Sequence, residues 1–122
     1  MSRRRHLAVL LLLAVGTVAA CSSRRRPRDE SFPPVTVEVN NQNFYDATVY
    51  LLWQSNRRRL GVASGNGKQN FTTNWGGPEV TVVIEMLAGR RYQSIPIGVS
   101  PGDGLVVEIP VAPERFHVYR RD

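Results

Sequence analysis

The chain has 122 residues, one cysteine and a formal charge of +6, which leaves room for one small domain and a short appendage. The excess charge lies near the N-terminus, because from residue 35 onward nine Lys or Arg residues stand against eight Asp or Glu residues. The basic balance therefore does not indicate nucleic-acid binding, and a single cysteine excludes a disulfide within the chain.

Residues 1–20 have the three-part layout of an export signal. A basic start, SRRRH, precedes an apolar run from Leu7 to Val15, and small residues follow. The apolar stretch is about 14 residues at most, which is short of the roughly 20 that a bilayer-spanning helix needs. We therefore predict a signal peptide that is removed on export.

The sequence VAAC, which ends at Cys21, resembles the lipobox of bacterial lipoproteins. In that motif a diacylglyceryl group alkylates the thiol, and the cysteine becomes the new N-terminus. The resemblance implies a lipid anchor at Cys21. Ordinary secretory cleavage after Ala20 is the alternative, because Val18 and Ala20 also fit a small-x-small site, and it would leave a free thiol.

The route of export stays open between the general secretory and twin-arginine systems. SRRRHL partly resembles a twin-arginine signal, but His6 stands where that motif usually has an aromatic residue. Positive charge just beyond an apolar segment hinders translocation, so an uncleaved anchor is a lesser alternative.

Residues 21–34 predict a flexible tether, because the segment is rich in Ser, Arg and Pro and has little apolar surface to bury. In a polyproline conformation of about 3.1 Å per residue it would reach about 40 Å. Each arginine near an anionic membrane adds on the order of 1 kcal/mol of attraction. The residues predicted to contact the membrane surface are Arg24, Arg25, Arg26 and Arg28.

These features predict a membrane-anchored lipoprotein of the bacterial cell envelope. Ser22 follows the cysteine, and it is not the aspartate associated with retention in the inner membrane. We therefore expect the outer membrane if two membranes are present, and otherwise the outer face of the cytoplasmic membrane.

From residue 35 to 119 the chain predicts a domain of short strands. Alternating apolar and polar residues, with Gly, Pro and Asn at the turns, are typical of strands with one buried face. Pro96 confines its strand to an edge or a bulge. The predicted strands cover residues 35–39, 47–54, 60–64, 70–73, 80–87, 92–97, 105–109 and 115–119, with SNRRR as a polar hairpin tip.

Seven or eight short strands and no long helical repeat after the leader predict an all-β fold, an antiparallel, immunoglobulin-like β-sandwich. The predicted core residues are Val37, Val49, Leu51, Trp53, Val82, Ile84, Leu105 and Val107. The pattern, with NFYDATVYL and SPGDGLVVEI, resembles small bacterial secreted proteins and lipoproteins with an immunoglobulin-like or transthyretin-like sandwich and no assigned activity.

The sequence does not predict an enzyme, a metal site or a cofactor. His117 is the one histidine after the leader, and we interpret it as a surface residue of the last strand. Glu38, Glu85 and Glu108 fall at outward strand positions, where carboxylates keep a sheet face soluble. A carboxylate pair of glycosidase type is a remote alternative, and no segment has the carboxylate density of a calcium loop.

Two Asn-rich segments that also carry aromatic residues are the candidate contact sites, NNQNFYD at residues 40–46 and NWGG at residues 74–77. Amides beside aromatic rings suit sugars, but Asn and Asp also cap turns while Phe44 or Tyr45 plugs the end of a sandwich. Arginines at the predicted hairpin tip suit phosphate or an acidic partner, or are solvated. The candidate contact residues are Asn41, Asn43, Tyr45, Trp75, Arg57 and Arg58.

We therefore expect a lipid-anchored, non-catalytic module that binds an envelope protein or has a structural role. The alternative is a module that binds carbohydrate or cell wall through Tyr45, Trp75 and the asparagines. An envelope enzyme is the remote alternative.

Overall fold

The computed structural model describes residues 32–87 and 89–122. The predicted signal peptide, the lipidation site Cys21 and nearly all of the tether, with Arg24, Arg25, Arg26 and Arg28, lie outside the described residues. Within the described ranges, no helix has the length and hydropathy that crossing a membrane requires.

Nine strands and one 3-10 turn, Pro113–Arg115, make up the described domain. The strands are β1 Val35–Asn41, β2 Ala47–Trp53, β3 Asn56–Ala63, β4 Gly67–Thr73, β5 Glu79–Met86, β6 Arg91–Gln93, β7 Ile97–Gly98, β8 Gly104–Ile109 and β9 His117–Arg121. They form two sheets, one in the order β4-β1-β8-β9 and the other β3-β2-β5-β6, with β7 paired to β5.

The predicted all-β sandwich is confirmed, with two refinements of its strand pairing. The strands number nine rather than seven or eight. One pair, β1 with β8, is parallel, with Val37 opposite Leu105, whereas the other strand pairs of the described domain are antiparallel. A parallel pair joins strands that are far apart in sequence, so local alternation does not reveal it.

The core lies between the sheets, where the inward residues of β1, β2, β5 and β8 meet. In β1, Val35, Val37 and Val39 are buried while Thr36 is exposed, which is the alternation of a strand with one face on a core. Seven of the eight predicted core residues are buried, and the eighth, Trp53, is half-buried at the end of β2.

The arginine run at residues 57–59 lies within strand β3, so its prediction as a hairpin tip is wrong. The turn comes earlier, at residues 54–55, where Gln54 has a φ of 52°. Polar side chains are tolerated because β3 is the edge strand of its sheet. Arg57 lies over the ring of Tyr50, 3.9 Å from the ring centroid, on the outer face.

The predicted strand at residues 92–97 is divided into β6 and β7. Pro96 lies between them, consistent with a residue that cannot donate a ladder hydrogen bond. Ser94 fastens the interruption to β5, since its backbone N–H donates to Val82 O at 2.9 Å and its Oγ accepts from Val82 N at 2.9 Å.

Candidate functional site

The sandwich has two ends, which carry the two predicted contact segments separately. We call the end where β1 begins, with residues 53–56, 74–78 and 99–103, the entry end. We call the opposite end, with residues 42–46, 64–66, 87, 89–90 and 110–116, the far end. Because Val35 pairs with Thr73 and Asn41 with Gly67, the two segments lie the length of β1 apart, about 20 Å at about 3.3 Å per residue.

At the far end, buried asparagines hold the loop that connects β1 with β2. Asn41 is 1% exposed, and its Nδ2 donates to Tyr45 O at 2.9 Å and to Ala63 O at 3.1 Å. Its Oδ1 accepts from the backbone N–H of Asn43 at 3.0 Å. The side chain therefore hydrogen-bonds to three backbone groups, two in its own loop and one at the end of β3.

Asn43 extends this arrangement to a neighbouring loop. It is 6% exposed, its Nδ2 donates to Val111 O at 2.8 Å, and its Oδ1 accepts from Tyr45 N at 2.9 Å. Both residues therefore act as turn-capping residues, and the two N–H groups of the Asn41 amide are both engaged, whereas Asn43 also lines a cleft at this end.

Further hydrogen bonds connect the same loop to the other turns of the far end. Asp46 Oδ1 accepts from Gly65 N at 2.9 Å, and Asp46 O accepts from Leu87 N at 2.9 Å. Gly65 also approaches closely, because a Cβ at that position would lie 2.1 Å from Phe44 O. These contacts fix the backbone on which the exposed side chains of this end stand.

Large apolar side chains of the far end point into solvent. The alternative that Phe44 or Tyr45 plugs the sandwich is wrong for Phe44, which is mostly exposed, and Tyr45 is half-exposed with its ring edge-on to Phe44 at 5.8 Å. The exposed fractions are 79% for Phe44, 50% for Tyr45, 74% for Leu87 and 77% for Val111.

Of these side chains, Tyr45 and Val111 line a cleft of about 280 Å³. Tyr45 and Tyr92 contribute aromatic surface to it, and Arg90 and Glu114 contribute one charge of each sign. Leu87 and Val111 were not predicted as contact residues. Their sequence signal is an apolar residue inside a turn-forming segment, MLAGRR in one case and PVAPE in the other.

At the entry end an aromatic side chain is buried and an amide side chain is exposed, which is the reverse of the far end. Trp75 is 9% exposed, belongs to the core, and donates from Nε1 to Glu79 O at 3.2 Å. Asn74, its neighbour in the predicted contact segment, is exposed. The main role of Trp75 is therefore packing in the core.

A cleft of about 450 Å³ lies between the β2–β3 turn and the loop at residues 74–77. Trp53 is half-buried there against Gly77, where a Cβ would come within 2.8 Å of the indole. Arg58 Nη1 donates to Thr73 Oγ1 at 2.9 Å and to Asn74 O, and so connects the edges of the two sheets. The lining residues are Trp53, Asn56, Arg57, Arg58, Asn74, Trp75, Gly76 and Gly77.

The structure therefore does not bring the predicted contact residues together. Tyr45 belongs to the far end and Trp75 to the entry end, so one small ligand does not touch both. The guanidinium of Arg57 extends along the outer face of its sheet toward Glu85, at 3.6 Å, whereas that of Arg58 stays at the entry end.

The carboxylates considered for catalysis lie on the outer sheet faces with polar partners. Glu38 pairs with Arg121 and Lys68. Glu108 accepts from Asn40 at 2.9 Å. His117 is exposed and stacks on Tyr119, with 6.0 Å between ring centroids.

Glu85 likewise lies between two arginines, Arg57 at 3.6 Å and Arg91 at 3.4 Å. Among residues 32–87 and 89–122, no group of three or more His, Cys, Asp or Glu side chains is placed to hold a metal ion.

A scan of protein-family models and a search of curated proteins both give no match to the chain. A solved NMR structure of a protein from Eubacterium rectale is similar in fold, with a TM-score of 0.52. The match covers 76% of this chain and 93% of that chain at 11% sequence identity. At that identity the likeness concerns the fold alone.

Proposed function

We propose that the chain is a lipid-anchored, non-catalytic protein of the bacterial cell envelope that binds another protein through the far end of its sandwich. The observation that carries the binding role is the group of exposed apolar side chains at that end, Phe44, Tyr45, Leu87 and Val111. The rings of Phe44 and Tyr45 are in contact, Tyr45 and Val111 line one cleft, and Leu87 N donates to Asp46 O of the same loop. Exposed apolar side chains gathered in this way at one end of a small domain are typical of interaction surfaces.

The hydrogen bonding beneath these side chains supports the same role. Asn41, Asn43 and Asp46 fix the backbone of the loop, so that the ordering of this loop costs little at the moment of binding. Arg90 and Glu114 beside the cleft carry opposite charges, which suits a partner surface of apolar residues with a mixed polar rim.

The direction of β1 supports a protein, rather than the membrane, as the occupant of this surface. β1 starts at the entry end, and the predicted tether precedes it in the chain. An anchor at Cys21 would therefore hold the entry end nearer the lipid and present the far end to other components of the envelope.

The binding role is tested by site-specific photo-crosslinking in cells with the full chain. A crosslinking residue at position 44 or at position 87 should capture the same protein, and position 72 on an outer sheet face should not. Tyr45→Ser should lower the affinity of the purified partner at least about tenfold, through loss of buried aromatic area.

Tyr119→Ser is the matched control, because Tyr119 is similarly exposed, at 46%, but stands on an outer sheet face. Equal effects of the two substitutions would contradict the assignment of the surface. Crosslinks only between copies of this chain would replace the proposed partner with self-association.

The anchor is tested separately, by intact mass and cell fractionation of wild type and Cys21→Ala. The wild-type protein should carry the mass of a lipid modification and sediment with membranes, and the variant should lose both. A wild-type protein without lipid mass in the soluble fraction would overturn the anchor and leave the far-end surface unaffected.

A further inference from the structure

We propose that the cleft at the entry end binds a sugar that carries an anionic group, a carboxylate or a phosphate. This inference does not rest on the far-end surface, since the two sites lie at opposite ends of the sandwich. The volume of about 450 Å³ falls within the range of about 300–1,000 Å³ for small-molecule sites.

The aromatic part of the site is Trp53. Its indole is half-buried and packs against the backbone of Gly77, which fixes the ring at the mouth of the sandwich. A tryptophan held in this way offers a rigid apolar surface, on which the C–H side of a sugar ring packs at a small entropic cost.

Two exposed amides stand around the indole, one from each wall of the cleft. Asn56 begins β3, and Asn74 follows β4. Each amide has two N–H donors and a carbonyl acceptor, the combination that hydroxyl groups of a sugar require. Unlike Asn41 and Asn43, they are exposed to solvent.

Arg58 supplies the charge, and its position is fixed before any ligand binds. The hydrogen bonds found for it among the described residues, to Thr73 Oγ1 and Asn74 O, both use Nη1. The N–H groups of Nε and Nη2 therefore remain for a ligand, and a guanidinium matches the geometry of a carboxylate or a phosphate. This is why we infer an anionic rather than a neutral sugar.

The experiment compares glucuronate, glucose 6-phosphate, glucose and inorganic phosphate as soluble probes of the purified protein. Binding is followed by tryptophan fluorescence and by NMR shifts of the Trp53 indole and the Asn56 and Asn74 amides. We expect at least one of the two anionic sugars to bind at least about tenfold more tightly than glucose, as the loss of a charge-assisted hydrogen bond predicts.

Arg58→Gln should remove this preference, whereas Arg59→Gln should retain it. The two substitutions make the same change in charge on the same strand, but Arg59 does not line the cleft. Asn56→Ala provides a second variant at an exposed position that lines the cleft, and it should weaken the binding of whichever anionic sugar the unchanged protein binds.

Three results would overturn the proposal. They are equal binding of glucose and the anionic sugars, equal effects of Arg58→Gln and Arg59→Gln, and the same NMR shifts with inorganic phosphate alone. Comparison of the affinities for glucuronate and glucose 6-phosphate shows whether the site prefers a carboxylate or a phosphate. Tyr45→Ser should leave sugar binding unchanged, which separates this test from that of the far-end surface.

Discussion

The two ends of the sandwich use the same residue types in opposite ways. At the far end Asn41 and Asn43 are buried, and Phe44 and Tyr45 reach into solvent. At the entry end Trp75 is buried and Asn74 is exposed. An Asn-rich segment with aromatic residues therefore does not by itself indicate one function. The local backbone conformation determines which side chains must hydrogen-bond to unpaired backbone groups and which stay exposed to a ligand.

The largest expected effect on stability comes from removing the buried amide of Asn41, which holds the loop at the far end. Asn41→Ala leaves the carbonyls of Tyr45 and Ala63 and the N–H of Asn43 without their partner. We expect the free energy of unfolding to fall by about 3 kcal/mol, since an unsatisfied buried polar group costs about 1–3 kcal/mol. Urea unfolding of the purified protein measures it.

Asn74→Ala at the entry end is the control for this prediction. Its side chain is exposed, so we expect a change within about 0.5 kcal/mol. If both substitutions cost the same, the contrast between buried and exposed amides would be wrong.

The second prediction concerns the close approach of two loop backbones at the far end. A Cβ at Gly65 would lie 2.1 Å from Phe44 O, and a carbonyl oxygen in a hydrogen-bonded loop moves only with its backbone. We expect Gly65→Ala to destabilise the protein by about 2 kcal/mol, within the range of about 1–3 kcal/mol for overpacking. It should also shift the NMR resonances of Tyr45.

Gly76→Ala is the matched substitution at the other end, where a Cβ would meet nothing within 4 Å. Its effect on stability should be close to zero. Unchanged resonances of Tyr45 in Gly65→Ala would show that the two loops do not depend on each other.

The smallest of the three expected losses of stability is that of Gly77→Ala at the entry end. The new Cβ would come within 2.8 Å of the Trp53 ring, and a half-buried side chain at the end of a strand shifts more readily than a backbone. We expect a cost of about 1 kcal/mol, at the lower limit for overpacking. Tryptophan fluorescence should report the movement of the indole, and an unchanged spectrum would contradict the packing.

Much of the fold could be predicted from the sequence, because the interior strands alternate clearly. Val37 and Val39 in β1, and Leu105 and Val107 in β8, mark one buried face by their spacing alone. The partner of β1 could not be predicted in this way, since the parallel pairing with β8 depends on how the two sheets assemble.

Edge strands and sites were harder to predict, for physical reasons that these residues illustrate. Arg58 and Arg59 resemble a solvated turn, yet an edge strand accepts them because part of its surface faces solvent. Tyr45 was predicted as a contact residue and is exposed, whereas Leu87, which is also exposed, is joined to the far-end loop by a hydrogen bond from its N–H to Asp46 O, a residue distant in the sequence. Hydrogen bonds between residues that are far apart in the chain cannot be predicted from the local sequence.

The position of β1 inside its sheet has a mechanical consequence. The strand that follows the predicted tether is flanked on both sides, by β4 over seven residue pairs and by β8 over six. Tension between an anchored N-terminus and a partner at the far end would act along the strand axis, so these ladders would be strained in shear, with many hydrogen bonds opposing the pull together. An edge strand pulled from one end would instead peel away bond by bond.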